Sequence, residues 1–161
     1  VFLRMAKYRR LTLEELQNLE KEFVDFLVVN GIVAGDWVKM KAVEPEKAEK
    51  IIDLFSDVVM ESVLRKIEFL ELRTKKLLLT FQCLEEKIVM VGVEGEVPAD
   101  FTNPDYIQNA LKGSLPDLQI FSTEKKYTKS REEELFEMLE NGHEVADGKL
   151  FKALVLSLAD Q

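Results

Sequence analysis

The run Leu77-Leu-Leu-Thr-Phe-Gln-Cys-Leu-Glu-Glu-Lys-Ile-Val-Met-Val-Gly-Val93 separates an all-helical chain from a mixed one. Leu77, Leu79, Phe81 and Cys83 alternate with Leu78, Thr80, Gln82 and Leu84, the two-residue period of a strand with two distinct faces. Ile88 to Val93 is rich in β-branched residues, which suit a pleated, half-buried surface. Glu85-Glu86-Lys87 between them is short enough to close a hairpin.

Toward the C-terminus, Asn103-Pro104 reads as a cap followed by a first-turn proline, opening a helix that stops at Gly113. Leu118 to Ser122, after Pro116-Asp117, reads as a third strand. Ser130 with Glu133 has capping-box spacing and starts a helix that ends at Asn141-Gly142. Asp147 caps a last helix carrying Leu150, Phe151, Leu154, Val155 and Leu158.

Toward the N-terminus the period is helical. Thr12 and Glu15 form another capping box. Leu13, Leu16, Leu19, Phe23, Phe26 and Leu27 recur at spacings of three and four as one buried face, and Gly31 supplies the left-handed stop. Asp36 is placed to cap a short helix through Trp37, Val38 and Met40. Pro45 opens a long helix whose apolar side runs from Ala48 through Ile51, Phe55 and Val59 to Ile67 and Leu70. The fold class is α+β, with a helical N-terminal half and a small antiparallel sheet with flanking helices in the C-terminal half. At 161 residues the chain reads as a single domain, 1–161, with a helical part over 5–72 and a sheet-plus-helices part over 73–161.

The composition is 47% hydrophobic and 32% charged, that of a folded globular chain rather than a disordered one. No apolar run reaches the roughly 18 residues a membrane helix needs. One cysteine permits no internal disulfide, so a reducing, cytoplasmic setting is expected. Val1-Phe2-Leu3-Arg4 reads as an extension ahead of a start at Met5.

The charge is distributed unevenly. Arg4–Arg10, Arg73–Lys76 and Lys125–Arg131 hold 11 of the 22 Lys and Arg and none of the 30 Asp and Glu. In a chain of net charge −8, such segregation is the surface feature that points to a partner. Lys7-Tyr8-Arg9-Arg10 and Lys125-Lys126-Tyr127 place a ring beside cations, a pairing that suits single-stranded nucleic acid. The acidic balance opposes phosphate backbones, so an acidic protein partner is the favoured reading. The candidate partner-binding residues are Tyr8, Arg9, Arg10, Lys125, Lys126, Tyr127 and Arg131. Their joint use requires the basic segments to converge on one face. The same residues also have a plainer reading, as intramolecular partners of acidic helices such as Glu132-Glu133-Glu134.

Candidates for catalysis are few. His143 stands beyond a helix end, where a cation meets the negative end of the dipole. Cys83 lies among strand hydrophobics with no cation beside it in sequence to activate it. One Cys and one His cannot make a zinc site. An oxygen-ligated Mg²⁺ site is the alternative: Asp53, Asp57 and Glu61 recur every four residues on the long helix, facing acids such as Glu15 or Glu22, in a nucleotide phosphohydrolase. The bland reading of that stripe is a solvated face with Glu61–Arg65 as a helix ion pair. No glycine loop of phosphate-binding type is present, and no cofactor is expected. The apolar circumference of the last helix, 148–159, leaves burial or a homodimer contact open.

Lys7-Tyr-Arg-Arg-Leu-Thr with Glu14-Glu15-Leu, Phe55-Ser-Asp-Val-Val through Val63-Leu, and Lys125-Lys-Tyr resemble an uncharacterised family of small bacterial proteins, a domain of unknown function. The resemblance runs over most of the chain from Met5. It implies a stand-alone cytoplasmic bacterial protein and supplies no site residue.

Overall fold

A computed structural model describes residues 6–113 and 118–159, so Arg4, Met5 and Pro116-Asp117 lie outside the described residues. The chain divides into two compact units, the first closing at Arg65 and the second opening at Lys66. None of the described helices is long and apolar enough to cross a membrane.

The first unit is helical. Thr12 and Glu15 form both bonds of the capping box that opens α1 (Leu13–Asn18). The expected continuous helix breaks at Leu19, which leaves helical geometry while its N–H is shared between the Glu15 and Leu16 carbonyls. α2 (Glu20–Val29) follows. That break rotates Leu13 off the buried face, and it is 73% exposed. Gly31 adopts φ 76°, and the bonds Ile32 N–H to Leu27 C=O and Gly31 N–H to Val28 C=O complete a Schellman stop. α3 (Ala34–Val43) starts two residues ahead of Asp36, so that carboxylate complements the dipole from the first turn instead of capping it. α4 (Pro45–Arg65) buries Ala48, Phe55, Ser56, Met60 and Leu64. Phe23 and Phe26 pack on Phe55 at 4.9 and 5.4 Å between ring centroids.

The long helix was expected to reach Leu70, but it ends at Arg65, and Phe69–Arg73 forms β1. Leu, Glu and Arg are good helix formers, and here pairing with the sheet overrides that propensity. β2 (Leu77–Cys83) and β3 (Lys87–Glu94) are the hairpin read from the sequence. α5 (Pro104–Lys112) is capped by Asn103. β4 (Gln119–Lys126) runs four residues past the expected end at Ser122. α6 (Arg131–Glu140) starts at its Ser130 cap. β5 (Glu144–Ala146), unforeseen, leads to α7 (Lys149–Ala159), where Asp147 accepts the Lys149 N–H.

The sheet is antiparallel, in the order β4-β3-β2-β1-β5. One face carries Phe69, Leu78, Val91 and Val93 against Ile107 of α5 and Phe151 and Leu154 of α7, which is the core of this unit. The opposite face carries Leu70, Phe81, Met90 and Thr123 in one cross-strand row, and α6 lies over its β4 side. At Gly92 on this face, a Cβ would stand 2.6 Å from the Phe121 ring and 2.8 Å from Leu79, so only glycine lets the two side chains close over the strand.

Candidate interaction surface

The N-terminal candidates are held by acids of their own unit. Arg9 forks the Glu15 carboxylate at 2.8 and 2.9 Å, and Arg10 forks Asp53 at 2.7 and 3.1 Å. Tyr8 is buried, and its hydroxyl donates to Glu61. The Lys7 and Tyr8 N–H groups donate to the two oxygens of Asp57, and Leu11 N–H donates to Ser56 Oγ. The segment is thus stitched along the acidic stripe of α4. A buried Tyr8 ring is not available to stack on a base.

The same contacts bear on the Mg²⁺ alternative. Asp53, Asp57 and Glu61 already accept from a guanidinium, two backbone amides and a phenol, and Glu15 is engaged by Arg9. Among the described residues no group of three or more His, Cys, Asp or Glu side chains is arranged to hold a metal ion.

In the second unit the two basic segments do not converge. Arg73–Lys76 closes the β1–β2 turn, at the end of the sheet where Glu94 pairs with Gln119. Lys125 and Lys126 lie at the other end, opposite Ile88 and Lys87. Seven residue steps of strand separate the ends, roughly 23 Å.

Within Lys125–Arg131 the side chains have different tasks. Arg131 donates to the carbonyls of Ile67, Cys83 and Leu84, and so closes a sheet end. Tyr127 donates its hydroxyl to Leu84 C=O at 2.9 Å, and burial pushes its pKa up to about 12. Lys125 lies 3.1 Å from the largely buried Glu134, and Lys129 pairs with Glu137. Lys126 is exposed, directly opposite Lys87, and among the described residues no carboxylate pairs with it. Glu124 bonds Lys87 at 3.0 Å, so this corner retains one uncompensated cation.

Beside Lys125 and Tyr127, between α6 and the sheet, lies a cavity of about 350 Å³. Phe81, Ile88, Met90 and Met138 give it an apolar lining, and His143 stands at one side. The His143 ring packs edge-on against Phe81, with Nδ1 2.9 Å from Met138 C=O. The alternation in β2 and β3 put Phe81 and Met90 on opposed strands, but no signal in the sequence brought Met138 over them. On the other face a cleft of about 450 Å³ passes over the Glu71–Arg73 ion pair. Its central charges already neutralise each other at 2.6 Å.

Burial pushes the Cys83 thiol up to about 11, far from a thiolate at neutral pH. The model of a family of unknown function (DUF6495) matches residues 5–159. No curated protein and no solved structure matches the chain.

Proposed function

The chain belongs to that family of unknown function (DUF6495), and we propose that it is a non-catalytic interaction module presenting the lysine-bearing end of its sheet to an acidic partner. The observation that carries the reading is Lys126. It is exposed at the end of a strand, set against a second lysine, and left without a carboxylate of its own among the described residues. A carboxylate from outside would relieve the Lys87–Lys126 repulsion and is worth more here than at an already paired lysine. Lys125 and Tyr127 border the same corner, whereas Arg131 acts from within by holding the strand ends. The setting we infer is a bacterial cytoplasm, where the single thiol, buried at Cys83, stays reduced.

The test is fluorescence anisotropy of a labelled peptide of alternating glutamate and threonine, titrated with the native protein and with Lys125→Glu/Lys126→Glu. Binding that weakens with salt and is lost in the double variant is the expected result. Equal binding by both proteins overturns the reading.

A second reading, a homodimer through residues 148–159, draws support from Val155 and Leu156, which are 40% and 67% exposed on α7. Sedimentation of the native protein beside Leu156→Asp decides it, since a dimer that survives the substitution does not use this strip.

A further inference from the structure

We propose that the outer edge of β4 takes up an extended acidic segment of the partner as a further strand of the sheet. The inference rests on the acidic-partner reading and specifies how the partner is held.

The hydrogen-bond parity of the sheet identifies the open groups. Gly95 N–H donates to Lys76 C=O and Leu84 N–H to Lys87 C=O, which sets the odd-numbered residues of β3 toward β2 and the even-numbered ones toward β4. Tyr127 N–H donating to Glu86 C=O extends the same parity along the other ladder. Phe121, Thr123 and Lys125 therefore bond inward to β3, while Ile120, Ser122, Glu124 and Lys126 direct N–H and C=O outward. β4 is the terminal strand, and its register with β3 is continuous from Gln119 to Lys126, with no bulge and no proline. Natural edges are normally blunted by brevity, bulges, proline, covering elements or charged side chains. β4 carries only the last, at Glu124, Lys125 and Lys126, which leaves its backbone groups open and selects a partner by charge. The other edge, β5, is blunted by being three residues long. On β4 the side chains of Ser122 through Lys126 are all exposed.

Alternation fixes what the added strand must carry. Residues opposite Glu124 and Lys126 fall on the core face, and a carboxylate opposite Lys126 meets the uncompensated cation. The residue opposite Thr123 falls on the other face and extends the row Leu70-Phe81-Met90-Thr123, beside the cavity that Met138 helps to line. An apolar side chain there removes its surface from water. The ligand is thus an extended peptide with alternating apolar residues on one face and a carboxylate on the other.

The probe is an acetylated, amidated peptide alternating valine and threonine, with aspartate at both ends. Bound to the full chain, it is expected to slow amide hydrogen exchange about tenfold or more at Ile120, Ser122, Glu124 and Lys126, leaving Phe121, Thr123 and Lys125 unchanged. Ser122→Pro removes an outward N–H that the sheet does not use, so the fold persists while peptide affinity falls about tenfold or more. Methylating alternate backbone nitrogens of the peptide has the same effect. Peptide binding that spares these four amides and survives Ser122→Pro overturns strand addition but leaves the acidic-partner reading standing. Binding lost in Ser122→Pro but indifferent to Lys126→Glu overturns the charge reading and keeps strand addition. Absence of binding at low salt overturns both.

Discussion

The Arg131 guanidinium reaches three carbonyls at one end of the sheet, those of Ile67, Cys83 and Leu84. A planar fork of donors suits that task and an ammonium does not. Arg131→Ala is expected to cost about 1–3 kcal/mol, because the carbonyls lose a charged donor and recover water only in part. Thermal unfolding followed by circular dichroism should show the loss, with Arg131→Lys recovering less than half of it. Full recovery by lysine would mean that charge, not the fork, is what the site needs. Cys83 beside it gives a second residue-scale expectation. Burial is the main cause of its thiol pKa of about 11 against an ordinary 9.0, with the Arg131 charge pulling the other way. The thiolate fraction at pH 8 is then about a hundredfold below that of the unfolded chain. A thiol-specific disulfide reagent should react slower in that proportion until denaturant is added. Rapid reaction of the native protein would contradict the burial.

Elements show how a local pattern is kept or overridden. The capping box at α1 was legible because its two bonds lie within four residues. Its electrostatics were not, since Arg9 joins it from outside the helix. Hydrogen bonds from Arg9 and then Thr12 pull the Glu15 carboxyl down to about 2 from an ordinary 4.5. A depressed acid stabilises the fold fully above its unfolded pKa, and the contribution is lost as pH falls through about 2. Denaturant unfolding from pH 6 to 2 should therefore show native and Glu15→Gln proteins converging in stability as pH drops from about 4.5. A constant gap would remove Glu15 from the acid response. β1 illustrates the opposite outcome: Phe69–Arg73 alternates over only five residues, and its helix-forming Leu, Glu and Arg continue the preceding helical pattern. β5 is too short to carry any period. The hairpin, with alternation from Leu77 to Leu84 and β-branching from Ile88 to Val93, needed no tertiary information. Gly92 did, because the Phe121 ring and the Leu79 side chain that require it come from two neighbouring strands.

At the scale of the molecule, charges segregated along the chain recombine in space. Arg9 and Arg10 meet Glu15 and Asp53, Arg73 meets Glu71, Lys76 meets Glu96, and Lys125 and Lys129 meet Glu134 and Glu137. Sequence alone showed the segregation but not its resolution, because Asp53 lies 43 residues from its partner Arg10. Mapping the candidate surface therefore required the fold, which reduces seven named residues to a corner around Lys126. The consequence concerns nucleic acid. A phosphate backbone binds by releasing counterions, with a slope of about −0.7 per neutralised phosphate on single strands. Cations already paired with carboxylates release few, and a net charge of −8 repels the strand from a distance. Labelled single-stranded RNA and DNA should show no anisotropy change with this protein, even at low salt. Arg9→Glu/Arg10→Glu should leave that null result intact while lowering stability, because Asp53 would lose its fork and face a new carboxylate. Salt-steep binding that vanishes in the double variant would instead mean that both guanidiniums leave their carboxylates for phosphate. The acidic-partner reading would then give way to nucleic-acid recognition, with the arm and not the β4 corner as its seat.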